Sequence, residues 1–218
     1  DILGPKKTSL MGAILVGLGW ILASFVEHTS SPLLFMLLLY GVVAGVGVGL
    51  VYGVPIAVSS RWIPERKGLA TGVTILGFGL SPLITAPLAA YLIGAVAVHN
   101  TCLYLGIVFL ICLTVLSLPL KFPPANWKPA TTIAANRKIP QVELTPSQMT
   151  KTSTFIGLWL TYVFGTTGGF IAISLAAKYG FEIVRLTPAL AALATAVFAV
   201  FNGLGRPTFG YLCDRLSP

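Results

Sequence analysis

Residues 40–72 read YGVVAGVGVGLVYGVPIAVSSRWIPERKGLATG: an apolar run, a short charged turn and the start of a second apolar run. Glycine recurs at every fourth position of the first run, at Gly41, Gly45, Gly49 and Gly53. In a soluble helix each glycine would cost about 1 kcal/mol relative to alanine, whereas in lipid such a stripe lets two helix backbones approach closely. The stretch therefore predicts two membrane-spanning helices joined by a cytoplasmic turn, with the four glycines on a helix-packing face.

The composition points to the same environment. Only 9% of the residues are charged and 56% are hydrophobic, and the mean hydropathy is +0.89. Soluble domains carry about 25% charged residues, so this chain has too few polar side chains to cover a water-facing surface. The net charge of +8 does not indicate a nucleic-acid partner, because the basic residues lie between apolar runs and form no basic helix face.

Residues that hold metals or perform catalysis are scattered. His28 and His99 have no neighbouring ligand residues, and Cys102, Cys112 and Cys213 lie in or near apolar runs, as small buried hydrophobic residues do. No cluster of His, Asp, Glu and Cys falls inside an apolar run. We therefore expect no metal site, no cofactor and no enzymatic activity.

A membrane span needs about 20 mainly apolar residues. Each span must be a helix, because an unpaired backbone is too costly in hydrocarbon and the alternation of a β-barrel is absent. We predict an all-α membrane protein with six transmembrane helices, at residues 8–27, 33–59, 69–97, 101–120, 154–177 and 187–212.

A long polar stretch separates the fourth and fifth predicted spans. It contains five prolines, and it is too long for a turn within one helical bundle. We therefore divide the chain into an N-terminal bundle (1–120), a cytoplasmic linker (121–152) and the start of a C-terminal bundle (153–218). Because the chain begins without Met and stops after a charged turn, we expect further helices of the same polypeptide as its partners.

The basic residues predict the orientation, since cytoplasmic loops carry an excess of Lys and Arg. Of the 14 basic residues, 11 fall on one side of the predicted spans and Arg206 lies inside its span towards that side, whereas Lys178 and Arg185 fall on the other side. We therefore place residues 1–7, 60–68, 121–152 and 213–218 in the cytoplasm, and the protein in the bilayer of the cell membrane.

Two tight turns resemble one another. Residues 1–7 read DILGPKK and residues 210–218 read GYLCDRLSP, and in each an Asp closes a predicted span. Both resemble the Gly-x-Leu-x-Asp-Arg-x-Gly-Arg-Lys signature of the major facilitator superfamily. The resemblance implies a partial major facilitator fold in which the six spans are helices three to eight of twelve. The residues that we assign to this signature or to cytoplasmic gating are Asp1, Gly4, Arg61, Arg66, Gly210, Asp214 and Arg215.

A narrower resemblance covers more of the chain. RWIPERKGLATG at residues 61–72, GFG at 77–79 and NGLGRP at 202–207 are similar to the oxalate/formate antiporter family. The related monocarboxylate transporters share part of this pattern. The resemblance implies exchange of small carboxylates, and it implies that Asp214 braces the start of the third span near Gly68–Thr71. Ordinary solvation of a turn is the alternative for Asp214.

Arg206 is the one charge well inside a predicted span, eight residues before Asp214 and thus about 12 Å away along a helix. An arginine in hydrocarbon costs from a few to more than ten kcal/mol, so it normally faces water, a partner or a protein interior. Its planar guanidinium suits bidentate binding of a carboxylate, and the resemblance implies that role. The alternative is an arginine that snorkels to the interface or pairs with another helix.

Three aromatic residues complete the predicted binding site. Tyr52 lies beside the glycine stripe, where its hydroxyl would reach a carboxylate, and Trp159 and Tyr162 of the fifth span would line the cavity. Packing is the alternative for each, because aromatic side chains are common in membrane helices.

The predicted function is secondary active transport of small organic anions by alternating access, with oxalate/formate-type exchange as the family precedent. A proton-coupled monocarboxylate transporter is the alternative within the superfamily. A channel or a non-transporting membrane scaffold is the alternative of another class. A channel should show a filter-like loop between helices, and a scaffold would not need Arg206.

Overall fold

The computed structural model describes residues 3–124, 126–127 and 144–216. Every regular element in these ranges is a helix, which agrees with the predicted all-α class. The chain forms two compact units: Asp1–Thr131 together with Gly203–Pro218, and Thr132–Asn202.

The first unit begins with helix α1, Gly4–Ala23, followed by a 3₁₀ turn at Val26–His28. A second rod then runs without interruption through α2 (Pro32–Met36), a π-helical segment (Leu37–Ala44) and α3 (Gly45–Trp62). Pro32 occupies the first turn of α2, where its missing N–H costs no helical hydrogen bond.

Helices α4 (Lys67–Leu80) and α5 (Pro82–Ser117) follow a 3₁₀ turn at Pro64–Arg66. α5 is interrupted at Ala97, whose φ of 67° lies in the left-handed region that non-glycine residues rarely adopt. The interruption separates the residues of the predicted third and fourth spans, which form two helices that meet at a sharp kink.

The second unit contains α6 (Pro146–Met149), α7 (Ser153–Glu182) and the first part of α8 (Pro188–Leu216). A capping box between Thr145 and Gln148 starts α6, and the Thr152 hydroxyl caps α7 by accepting the Phe155 N–H at 3.1 Å. The predicted linker therefore ends in a short capped helix, while its residues 128–143 lie outside the described part of the chain.

Four helical stretches among the described residues are long and apolar enough to cross a membrane: Gly4–Ala23, Pro32–Trp62, Pro64–Ser117 and Ser153–Ala172. The third has 54 residues and would measure about 80 Å if it were straight, more than twice the hydrocarbon core of a bilayer. It therefore contains both the third and the fourth predicted spans. The sixth predicted span corresponds to α8, which is not among the four, and the count of six spans stays a prediction.

Helix α1 packs against both α3 and α5. A Cβ atom added to Gly12 of α1 would lie 2.8 Å from the carbonyl oxygen of Gly47, and one added to Gly47 would lie 2.8 Å from that of Gly12. Only glycine permits this approach of two backbones. On the α5 side, the buried hydroxyls of Ser9 and Ser117 share a hydrogen bond of 2.7 Å.

The predicted glycine stripe makes no close helix contact among the described residues. A Cβ atom on Gly45, Gly49 or Gly53 would meet nothing within 4 Å, and one on Gly41 would approach only its own helix, at Met36. Gly47 is two residues from both Gly45 and Gly49, which places it about 160–200° around the helix from them, so α1 packs on the face of α3 opposite the stripe. The helix contact is made by Gly47 instead, and a packing role for the stripe stays a prediction that concerns helices beyond those described.

Part of the stripe lines an open groove of about 570 Å³ between the start of α1 and the middle of α3. Phe122, from the beginning of the predicted linker, forms one wall. The Arg61 guanidinium lies 3.9 Å from the centre of the Phe122 ring, and the Trp62 indole N–H donates to the Lys121 carbonyl at 2.9 Å. The first residues of the linker are therefore held against the end of α3.

Candidate functional site

The candidate site is built where the last part of α8 packs against α4, within the first unit. Gly68 and Gly210 bring the two backbones together, because a Cβ atom on Gly210 would collide with the Gly68 carbonyl. One helical turn further along, a Cβ atom on Gly72 would lie 2.7 Å from the Cα atom of Pro207. Small residues on both helices thus allow a contact that no larger side chain would permit.

Asp214 lies at one end of this contact. Its two carboxylate oxygens accept the backbone N–H groups of Gly68 and Leu69, each at 2.8 Å. These N–H groups belong to the first turn of α4, whose own N-cap residue, Arg66, supplies no side-chain acceptor. The negative charge also faces the positive end of the α4 dipole. Asp214 therefore caps α4 from another helix.

Arg206 lies two helical turns before Asp214 and is half-buried. Its Nη1 donates a hydrogen bond of 3.3 Å to the Tyr52 hydroxyl of α3. Its Cζ lies 5.0 Å from the centre of the Phe78 ring of α4, and the Phe78 and Tyr52 rings meet edge to face at 5.4 Å. Three helices thus each contribute one side chain to a cluster of Arg206, Tyr52 and Phe78, which we call the arginine cluster.

The charge of the arginine cluster is not compensated within it. Arg206 forms no ion pair with a carboxylate among the described residues, and its Nε is buried without a hydrogen-bond partner there. A guanidinium has five N–H donors, and the described residues accept one of them. The arrangement can therefore accept an anion that brings both the missing charge and the missing hydrogen-bond acceptors.

The arginine cluster contains two of the four predicted substrate-binding residues. Trp159 and Tyr162 lie on α7 in the second unit, where their side chains are 55% and 61% exposed. Their role in lining a cavity stays a prediction.

Phe78 was missed by the sequence reasoning. The sequence offered one indication of its role: Phe78 lies between Gly77 and Gly79, so its ring has no bulky sequence neighbours. That indication does not say which distant residue the ring meets.

The residues assigned to signature or gating roles are dispersed. Gly4 begins α1 with a φ of 69°, a conformation that suits glycine, and the Arg215 guanidinium lies 5.2 Å from the centre of the Tyr211 ring. Arg61 contacts Phe122, Arg66 ends the 3₁₀ turn before α4, and Asp1 lies outside the described residues. The contact of Asp214 falls in the segment expected for it, and the gating role of all these residues stays a prediction.

No group of three or more His, Cys, Asp and Glu side chains is placed to hold a metal ion within the described ranges.

Comparison with known proteins gives one family and several relatives. The profile of the Major Facilitator Superfamily matches residues 1–218. An oxalate:formate antiporter of Oxalobacter formigenes is 26% identical over 217 residues, which is 100% of this chain and 49% of the antiporter. The uncharacterized MFS-type transporter YhjX of Escherichia coli (strain K12) is 23% identical over 214 residues, or 98% of this chain and 51% of YhjX.

A further similarity covers a shorter stretch. Monocarboxylate transporter 13 of Rattus norvegicus is 35% identical over 91 residues, which is 42% of this chain and 20% of the transporter. The chain spans about half the length of the relatives that it matches from end to end.

Proposed function

Because the chain belongs to the Major Facilitator Superfamily, we propose that it forms part of a secondary active transporter of small organic anions. The family consists of transporters and not of enzymes, so the expected family and the expected absence of an enzymatic role are both confirmed on that ground. Its members are multi-pass membrane proteins, in keeping with the long apolar helices.

The observation that carries the proposal is the uncompensated guanidinium of Arg206. A charged side chain within membrane helices is costly unless water, a partner or a ligand solvates it. Arg206 has a buried Nε without a described partner, and its described neighbours, Tyr52 and Phe78, are uncharged. A carboxylate would supply both the charge and the acceptors, which supports an anion as the substrate.

Among anions, small carboxylates match the donors around Arg206 best in this proposal. Two oxygens of a carboxylate match two N–H groups of a guanidinium, and the Tyr52 hydroxyl lies beside that donor set. The similarity to an oxalate:formate antiporter over all of the chain supports exchange of such anions. The similarity to a monocarboxylate transporter over 91 residues keeps proton-coupled monocarboxylate transport as the second candidate.

In the proposed transporter the chain supplies six transmembrane helices, the third to the eighth of twelve. Residues 1–120 belong to the N-terminal bundle, 121–152 to a cytoplasmic linker and 153–218 to the C-terminal bundle. Residues 1–7, 60–68, 121–152 and 213–218 face the cytoplasm of a cell whose plasma membrane holds the protein. Carriers of this kind rock two bundles around a site near the bilayer midplane.

Asp214 has a mechanical role in this proposal. A contact between an Asp of α8 and the first turn of α4 ties a helix of the second bundle to a helix of the first at the cytoplasmic face. The contact must break when the cytoplasmic side opens. It therefore sets part of the energy difference between the inward-open and outward-open states.

The test is exchange transport by the complete polypeptide that contains this chain. Proteoliposomes loaded with unlabelled oxalate, formate or lactate are diluted into the corresponding labelled anion, with and without a pH gradient. We expect rapid uptake of label that depends on a carboxylate inside the vesicle. Uptake driven by a pH gradient alone would favour the proton-coupled alternative, and no carboxylate-dependent uptake under either condition would contradict the proposed function.

A further inference from the structure

Phe78 contacts both polar members of the arginine cluster. Its ring meets the Tyr52 ring edge to face at 5.4 Å, and the centre of the ring lies 5.0 Å from the Arg206 Cζ. An aromatic face attracts a guanidinium through its quadrupole. The ring thus restricts the orientation of Arg206 through two contacts, one direct and one through Tyr52.

This restriction leaves the hydrogen-bonding capacity of Arg206 intact. An Asp or Glu at this position would fix the guanidinium by occupying its N–H groups and neutralising its charge. An aromatic face uses none of the five N–H donors and leaves the positive charge in place. Phe78 therefore holds Arg206 while the donors that an anion needs remain available.

Phe78 also lies at a break in the helical backbone. α4 ends at Leu80 and α5 begins at Pro82. Pro82 has no N–H, so the Phe78 carbonyl loses its partner in a continuous helix, and it accepts the Ser81 hydroxyl at 3.0 Å instead. One backbone hydrogen bond that would link the end of α4 to the start of α5 is thus missing next to Phe78. The chain can therefore bend between the two helices at low cost.

We propose that Phe78 is a positioning residue that holds Arg206 in its anion-binding orientation, and that the Ser81–Pro82 break lets the ring move when the site opens or closes. The anion-binding half of this inference rests on the proposed function. Without the ring, Arg206 samples other orientations. The apparent affinity for the anion then falls in proportion to the fraction of molecules in which Arg206 has the binding orientation.

The first experiment measures exchange kinetics of the complete polypeptide in proteoliposomes with labelled oxalate. Phe78→Leu removes the aromatic face and keeps an apolar side chain, and we expect it to raise KM about five- to thirtyfold with little change in maximal rate. Phe78→Tyr keeps the face and should stay within about twofold of the parent KM. Phe109→Leu is the matched control, because Phe109 pairs with Trp20, at 5.3 Å, and not with Arg206.

Two results would overturn the positioning role. One is a KM for Phe78→Leu within twofold of the parent value. The other is an equal rise in KM for Phe78→Leu and Phe109→Leu, which would indicate a general loss of packing. Pro82→Ala restores the N–H for the Phe78 carbonyl and should lower the maximal rate at unchanged KM; an unchanged rate would remove the hinge from the proposal.

A second experiment does not depend on transport. Phenylglyoxal modifies arginine side chains, and the modification of Arg206 is followed by mass spectrometry of its peptide in the purified protein. We expect Arg206 to react several-fold faster in Phe78→Leu than in the parent, and at the parent rate in Phe109→Leu. Equal rates in all three proteins would overturn the positioning role even if the parent exchanges carboxylates. A parent that exchanges none, with the faster reaction in Phe78→Leu, would contradict the proposed function alone.

Discussion

The carboxylate of Asp214, in the last turn of α8, accepts the backbone N–H of Gly68, in the first turn of α4, at 2.8 Å. Its second oxygen accepts the N–H of Leu69 at the same distance. Residues almost 150 positions apart in sequence therefore form a helix cap in which one helix supplies the carboxylate and the other supplies the N–H groups. A cap of this kind stabilises one packing of the two helices and is lost when they separate, as the gating role that we propose for Asp214 requires.

Replacing Asp214 by alanine should destabilise the protein. The substitution leaves two backbone N–H groups of α4 without their acceptors and removes a charge from a helix N-terminus, at a cost of about 1–2 kcal/mol. Thermal unfolding of the complete polypeptide in detergent should shift down by a few degrees. Arg215→Ala is the neighbouring control, since the described contact of the Arg215 guanidinium is with the exposed Tyr211 ring of its own helix. Equal unfolding temperatures for the two variants would show that the cap contributes nothing.

Glycine should be required where α4 and α8 cross. The Cβ atom of Gly210→Ala would collide with the Gly68 carbonyl, and backbone cannot move aside as a flexible side chain can. We expect a loss of about 1–3 kcal/mol and a lower unfolding temperature. Gly205→Ala lies on the same helix, and its Cβ atom would meet only Phe209, at 3.9 Å. That variant should be neutral or more stable, and a Gly210→Ala variant as stable as Gly205→Ala would contradict the observed helix contact.

In α3, alanine should destabilise the protein at Gly47, which contacts α1, and be tolerated at Gly49 of the glycine stripe. Gly47→Ala would press a Cβ atom to 2.8 Å from the Gly12 carbonyl oxygen, so we expect it to lower the unfolding temperature. The Cβ atom of Gly49→Ala would meet nothing within 4 Å, so this variant should be tolerated. Destabilisation of Gly49→Ala to the same extent as Gly47→Ala would show that the glycine stripe packs against a helix beyond the described residues.

Tyr52→Phe should weaken anion binding without abolishing it. The substitution removes the hydroxyl that accepts the Arg206 Nη1–H at 3.3 Å and keeps the ring that packs on Phe78. A hydrogen bond of this length to a charged donor contributes about 1 kcal/mol, which corresponds to about a fivefold rise in KM for exchange. A KM equal to that of the parent would show that the hydroxyl does not position Arg206.

The sequence was sufficient for the helical class, because apolar runs of the right length require helices in a membrane. It was sufficient for the family because its motifs, such as residues 61–72 and 202–207, resemble those of the family. It also singled out Arg206 and Tyr52, which the structure joins by a hydrogen bond across 154 positions. Their proximity could not be derived from periodicity, because a helix pattern defines a face and not the helix that covers it.

Three features were beyond the sequence pattern for physical reasons. The four-residue glycine spacing suggested one packing face, but the described contact with α1 is made on the opposite face of α3, at Gly47. The kink at Ala97 uses a left-handed conformation at a residue type that gives no warning of it. Phe78 was indistinguishable from a lipid-facing aromatic until its distance to Arg206 was known.

The central claim is that the Arg206 guanidinium binds the transported anion, and carboxylate exchange by Arg206 variants of the complete polypeptide tests it most directly. Arg206→Gln removes the charge and the bidentate donor pair and should reduce exchange of labelled oxalate and formate by at least about a hundredfold. Arg206→Lys keeps the charge without the planar donor pair and should retain a small part of the activity. Both variants should insert and purify as the parent does. Exchange by Arg206→Gln at nearly the parent rate would contradict the claim.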